Sequence, residues 1–336
     1  MVSRIVRVVP IAGVLLAGLW ALGALSLADR DGAPPRIWLP IVFGLAFVGV
    51  LIFLRPHWRA RLVAAAMVLP VAVWYFTITP SNDREWAPQY AKLATATIDG
   101  DRVTLHNYRV LQPGPDGVLQ QQYVDRTFDV SKLLHTDLII SHWGPKRVAH
   151  AQMSFEFSDG DVVAMSIEVR RRASQKGFDA VSSFFRNFEL IYVVGNERAL
   201  FGSGILDDYH RIHLYRTNFT PQRSQALFMR YSNTLNELVA HPQWYNTVTD
   251  NCTTSIYKHL RNIPPPPAFS MSMLVNGYLP EYCYQQGKLD TSMPWEELQR
   301  RCDIKEVGRR AYHSPDFSRL IRESVPMPGA VERSSP

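Results

Sequence analysis

HAQMSFEFSDGDVVAMSIEV, residues 150–169, is the stretch that decides how this chain folds. Two runs of alternating apolar and polar residues flank Ser158-Asp159-Gly160, the pattern of a tight β-hairpin. In a three-residue loop Gly160 takes the left-handed position and Phe157 pairs with Asp161. One face then carries Ala151, Met153, Phe155 and Phe157 opposite Val163, Met165, Ile167 and Val169. The other carries His150, Gln152, Ser154 and Glu156 opposite Val162, Ala164, Ser166 and Glu168. A two-residue Asp159-Gly160 loop would slip the register by one and mix apolar with polar side chains on both faces, which a half-buried sheet resists. The first register is therefore expected. It sets Glu168 across from His150 with Cβ atoms about 5 Å apart, near enough for a carboxylate to orient an imidazole. The plainer reading of that face is a solvated surface with a Glu168–Arg170 ion pair.

Outward from the hairpin, residues 91–130 alternate in short runs broken by Pro113-Gly114-Pro115-Asp116-Gly117, which predicts strands joined by a turn. ELIYVV at 189–194 reads as another strand. Ser224 to Val239 is apolar at helical spacing, and Cys252 to Ile263 reads as a second helix stopped by Pro264 to Pro267. The expected class is α+β, with a disordered tail at 323–336.

Ahead of this domain lie three uncharged runs, near 8–28, 37–54 and 62–82, each long enough to cross a ~30 Å hydrocarbon core as a helix. Arg4 and Arg7 precede the first, and Arg55, Arg59 and Arg61 crowd the link between the second and third. Those sides are expected to be cytoplasmic, which places the loop 29–36 and everything after Asn82 outside. A cleaved signal peptide ending near Ala28 is the alternative for the first run, and it leaves the large domain on the same side.

The net charge of +6 divides unevenly: residues 1–81 hold 7 basic and 2 acidic side chains, leaving 29 and 28 for the rest. The near-neutral remainder gives nucleic-acid binding no electrostatic support. It is long enough for one large domain or two small ones with a proper core. Of three cysteines, Cys283 and Cys302 lie close enough in sequence for a disulfide that would leave Cys252 alone as a thiol.

Cys252 follows Thr249, Asp250 and Asn251, residue types that cap helices. It is thus expected in a first helical turn, with Asp250 and Asn251 as caps, where the helix dipole lowers a thiol pKa and backbone amides can hold an oxyanion. Taken alone, a cysteine is more often a small buried hydrophobe. A nucleophile also needs a base. His259, two turns on, points away; His210 and His213, an odd number apart on a strand, make a poor metal pair, and no metal or cofactor is expected. His150 is the best placed, with Glu168 as orienting group, or Gln152 or Ser166 in its stead.

NDREW at 82–86, HNYR at 106–109, the hairpin with SIEVRR at 166–171, FELIYVV at 188–194, WYNTVTDNCTT at 244–254 and DFSRLIR at 316–322 together resemble the Lnb N-terminal periplasmic domain family over about residues 82–322. The resemblance implies a circularly permuted papain/NlpC-like fold, the histidine strand preceding the cysteine helix; the three-helix region ahead of it is expected to anchor the domain in a bacterial inner membrane. It implies Cys252 as nucleophile, His150 as base and Glu168 as orienting group. Acyl transfer through a thioester follows, from a membrane phospholipid to a lipoprotein amino terminus. Lys146, Arg147, Arg170, Arg171 and Arg172 could meet the lipid phosphate, although a charge cluster beside a strand end is more often simply solvated. One departure from the family pattern is the loop Glu197 to Gly204, where substrate contacts are expected to differ. The rival readings are an NlpC-like cysteine peptidase or amidase acting on cell-wall peptides, and a non-catalytic membrane scaffold.

A reporter fused after Asn82 is expected to be active only outside the cytoplasm. Cytoplasmic activity there would overturn the reading of the loop charges.

Overall fold

The computed structural model describes residues 11–28, 37–113 and 119–329. Arg4, Arg7, the loop 29–36, the turn residues 114–117 and the tail from 330 lie outside them. The chain divides into two compact units: residues 1–87 with 170–189 and 243–247, and residues 88–169 with 190–242 and 248–336.

The first unit holds three apolar helices, α1 (Ile11–Leu27), α2 (Trp38–Phe53) and α3 (His57–Thr77). By length and composition α3 alone among the described residues is long and apolar enough to cross a membrane, while α1 and α2 are shorter. The third helix was expected over 62–82 and runs instead from the extended Pro56 to an extended Ile78. Arg186 Nη1 donates to the carbonyls of Tyr75 (3.1 Å) and Ile78 (3.0 Å), supplying the orphan carbonyls at this helix end with a cationic partner. Small residues form the inter-helix contacts: Ala21, Ala24, Ala60 and Ala64 are buried and the Phe47 ring lies on Gly18. Leu16, Leu19, Leu45, Phe53, Leu69 and Phe76 are more than 60% exposed. A helical bundle in water buries its large apolar side chains, whereas this one turns them outward.

The NDREW motif locks the rest of this unit. Asn82 accepts from Arg170 Nη1 (2.9 Å) through its side chain and from Trp86 Nε1 (2.9 Å) through its carbonyl. Arg84 pairs with Glu189 at 2.7 Å, and the Arg170 guanidinium lies 3.9 Å over the Trp86 ring. Arg170, expected among the headgroup candidates, is therefore a buried packing residue.

The second unit is built on a mixed sheet of β1 (Thr95–Asp99), β2 (Arg102–Pro113), β3 (Leu119–Asp129), β4 (Leu133–Trp143), β5 (Ala149–Phe157), β6 (Val162–Arg170), β7 (Glu189–Gly195) and β8 (His210–Arg216). The order is β1-β2-β7-β6-β5-β4-β8, with β3 added to β2 and β2 parallel to β7. Seven helices complete the described chain: α4 (Glu197–Leu206), α5 (Pro221–Ala240), α6 (Cys252–Arg261), α7 (Leu279–Gln285), α8 (Trp295–Arg301), α9 (Lys305–Ala311) and α10 (Phe317–Leu320). The class is α+β, with an N-terminal helical region ahead of a mixed sheet.

The hairpin has the expected register. Gln152 pairs with Ser166 and Phe155 with Val163, Phe157 and Asp161 close the loop with a 2.9 Å hydrogen bond, and Gly160 sits at φ +89°. Its apolar face is buried under α5, where Phe155 and Phe157 meet Phe228 edge-on at 5.3 and 5.7 Å. The polar face is covered too rather than solvated: Gln152, Ser154, Ala164 and Ser166 are buried, and His150, Glu156, Val162 and Glu168 are half-buried. Ile139, Ala164, Ile212 and Leu214 on that side pack with Phe201 and Ile205 of α4, Tyr312 and Phe317.

Within this second layer the charges are paired. Asp137 and Glu197 are fully buried. Asp137 accepts from Arg216 (2.5 Å) and Arg322 (2.9 Å), and Glu197 accepts from Arg322 (2.6 Å) and Ser154 (2.6 Å). The segment 197–204, read as a substrate loop, is a helix capped by Asn196, and its Glu197 faces this network. The segment 324–329, read as disordered, is also placed: Ser324 donates to Arg301 and Val325 packs on the Phe201 cluster.

Arg322→Met is expected to lower stability by about 3 to 5 kcal/mol, because two buried carboxylates lose their shared cation. Denaturant titration of the solubilised protein measures it; a loss under about 1 kcal/mol would show that Asp137 and Glu197 do not depend on Arg322.

Candidate functional site

Cys252 is the first residue of α6 and is 3% exposed. The cap behind it is a full capping box. Asn251 Oδ1 accepts from the amides of Thr253 (2.9 Å) and Thr254 (2.8 Å), and Thr254 Oγ1 accepts from the Asn251 amide (2.9 Å). With those amides committed, the Cys252 N–H opens the helix at a position that has no intrahelical partner. Asp250, the other expected cap, turns aside to pair with Lys258 and Thr249.

β5 brings His150 to the same place. Its Nε2 hydrogen-bonds Ser166 Oγ at 2.7 Å, and the imidazole also hydrogen-bonds the Cys252 thiol. The β5–β6 ladder runs from Glu156↔Val162 to Gln152↔Ser166. Just past that end the Ala151 backbone also hydrogen-bonds the sulfur. Burial pushes the Cys252 pKa up, but the His150 hydrogen bond and charge, Ala151 and Asn276 outweigh it and hold the thiol below its ordinary value. Burial pushes His150 down, and contact with the thiolate and the nearby Glu168 charge carry it above its ordinary value. Both directions favour a thiolate–imidazolium pair.

Of the three candidates for a third group, Ser166 is the one hydrogen-bonded to the imidazole. Glu168 is half-buried and bears on His150 through its charge. Gln152 sits across the ladder from Ser166, 3% exposed, with its buried Oε1 making no hydrogen bond among the described residues.

One residue at the site escaped sequence reading. Asn276 Oδ1 accepts from the Ala149 amide (3.0 Å) and its Nδ2 points at Cys252 Sγ from 3.6 Å. Gly277 beside it approaches the 144–148 loop so closely that a Cβ would lie 1.9 Å from the Lys146 carbonyl oxygen. In sequence an Asn-Gly pair announces a turn, and nothing local says that it returns to the cysteine. The Asn276 amide and the Cys252 N–H are two donors beside one sulfur, the arrangement an oxyanion requires.

Lys146 and Arg147 are exposed on that loop. His259 is buried and bonded to Tyr192 (2.8 Å), its pKa pushed down to about 4 by burial and by Arg230 and Lys258, so it is a neutral packing group. Cys283 and Cys302 are free thiols rather than a disulfide, and burial pushes Cys283 up to about 12 and Cys302 higher still. Among the described residues no His, Cys, Asp or Glu cluster gathers as a metal site.

The lowered thiol keeps Cys252 ionised as pH falls, until the pH passes below its own pKa. Below the pH at which an ordinary thiol ionises, iodoacetamide is therefore expected to alkylate Cys252 and spare Cys283 and Cys302. His150→Gln should slow that reaction about ten-fold or more and move its pH midpoint up toward that of a free thiol. Equal labelling of the three cysteines, read by peptide mass spectrometry, would overturn the ion pair.

Neither curated proteins nor solved structures give a match to this chain. The family model described as Lnb N-terminal periplasmic domain does match, over residues 119–276. The matched segment contains β3 to α6, His150, Ser166, Glu168 and Cys252, and ends on Asn276. Residues 119–276 are thus similar to the Lnb N-terminal periplasmic domain family, the one that the motifs of the sequence resemble.

Proposed function

We propose that this protein is a membrane-anchored, cysteine-dependent acyltransferase working through an acyl-thioester. The observation that carries the proposal is the His150 imidazole, hydrogen-bonded to Ser166, beside the Cys252 thiol at the first residue of α6, with the Asn276 amide on the same sulfur. Cys252 attacks the carbonyl carbon of an ester. The tetrahedral oxyanion is held by the Cys252 N–H and Asn276 Nδ2, and the His150 imidazolium protonates the departing alkoxide. The thioester that remains is attacked by a neutral amine. His150, now neutral, takes the amine proton as the carbon–sulfur bond breaks, so an amide leaves and the ion pair is restored.

In this reading the donor is a membrane phospholipid and the acceptor a lipoprotein amino terminus, as the family's character suggests. Three apolar helices with large side chains turned outward support a multi-pass anchor that keeps the domain at the lipid surface, on the periplasmic side of the inner membrane. The fold is read as papain/NlpC-like and permuted, since the histidine strand precedes the cysteine helix in the chain.

Intact-mass analysis of protein purified from membranes tests the mechanism. The expected result is a fatty-acyl adduct that hydroxylamine removes and Cys252→Ala lacks. His150→Ala should lower turnover about 10³-fold or more, while Ser166→Ala and Glu168→Gln should cost less, about 10- to 100-fold, because nucleophile and oxyanion donors remain. Absence of any adduct, or retained activity in Cys252→Ala, would overturn the reading.

A further inference from the structure

α6 has a second flank. Thr253, Ile256, Tyr257 and Leu260 face a cavity of about 320 Å³, closed on the other sides by Met273, Leu279, Tyr282 and Leu289 and by Leu138 and Met153 of the sheet. From Thr253 to Leu260 the helix wall is about 10 Å long. The volume falls within the range of small-molecule sites, and the lining is mostly apolar.

Its charged groups are the distinctive feature. Two cations, Arg223 and Lys288, line the cavity and no carboxylate does. Arg223 Nε and Nη1 are buried and make no hydrogen bond among the described residues, while the guanidinium lies over the Phe219 ring at 4.8 Å. Nothing charged offsets its desolvation, which lowers its pKa. Buried guanidinium donors ordinarily have an acceptor, because leaving them unpaired costs the full desolvation penalty. An apolar slot with two unsatisfied guanidinium nitrogens in its wall suits a chain with an anionic end.

We infer that this cavity binds a single-chain anionic amphiphile, its apolar body along α6 and its carboxylate or phosphate on Arg223 and Lys288. The site is distinct from the reaction at Cys252, whose sulfur faces His150, Ala151 and Asn276. It holds whether or not Cys252 is a nucleophile.

The test reads binding and needs no turnover. The full chain carrying Cys252→Ala, in phosphatidylcholine nanodiscs, is photolabelled with a diazirine-bearing twelve-carbon carboxylate, and the labelled peptides are mapped. Labelling is expected within residues 253–289, competed by dodecanoate or dodecyl phosphate and not by dodecanol. The better of the two anions identifies the head group. Arg223→Met should reduce labelling about ten-fold or more, the loss of one charge-assisted hydrogen bond, and Arg223→Lys should restore part of it. Labelling outside the cavity, equal competition by dodecanol, or full labelling in Arg223→Met would overturn the inference. The competition arm is read on the protein with Arg223 intact, so a variant that fails to fold leaves the test decisive.

Discussion

Gly160, at φ +89° in the loop between β5 and β6, holds the register on which the second unit depends. A residue with a Cβ pays steric energy in that conformation, and the slipped alternative would turn one strand's side chains over relative to the other's. With β5 turned over, Phe155 and Phe157 would leave the aromatic core under α5, and Ser154 would leave the carboxylate of Glu197. Ser166 would also lose the 2.7 Å bond by which it holds the His150 ring. Core, charge network and candidate site are thus three consequences of one turn.

The polar face of the hairpin shows how a sequence pattern can be read correctly and still mislead. Alternation separates the two sides of a strand, but it does not say whether the polar side meets water or other protein. Here it meets protein: α4, α9, α10 and the following segment cover it, and Arg322 threads between Asp137 and Glu197. The covering elements are short helices far along the chain, and their pairing with the sheet is decided by contacts that no local window contains. For the same reason the segment 197–204 read as a loop. Asn196 is a good cap and Glu197 suits a first turn, yet Gly202 and Gly204 weaken the helical signal.

What was legible came from local periodicity and turn chemistry. The hairpin register, the strand at 189–195, the long amphipathic α5 and the capped start of α6 follow from side-chain spacing and from Asn251. The third group beside His150 was only half legible. Directly across the strand pair and diagonally across it are neighbouring positions on one face, and the choice between Glu168 and Ser166 depends on the ring's rotamer. Asn276 was not legible at all, since its approach to Cys252 rests on the fit of Gly277 against the backbone of Lys146.

In the proposed reading, the same physics that would make the site reactive also limits where it can be built. A thiolate and an imidazolium taken out of water each lose hydration, so the pair persists only where other dipoles replace that water. Three such groups converge on the sulfur here: the Ala151 backbone, the Asn276 amide and the first turn of a helix whose remaining amides are already capped. The capping box matters for this reason. By consuming the Thr253 and Thr254 donors it leaves the Cys252 amide as the one at the opening of the helix, directed by its position toward whatever charge develops at the sulfur's target. A weaker cap would free more donors but fix none of them, and preorganised donors are the ones that lower a barrier. The two flanks of α6 thereby divide their work, with polar groups gathered at its first residue and an apolar wall running along its length.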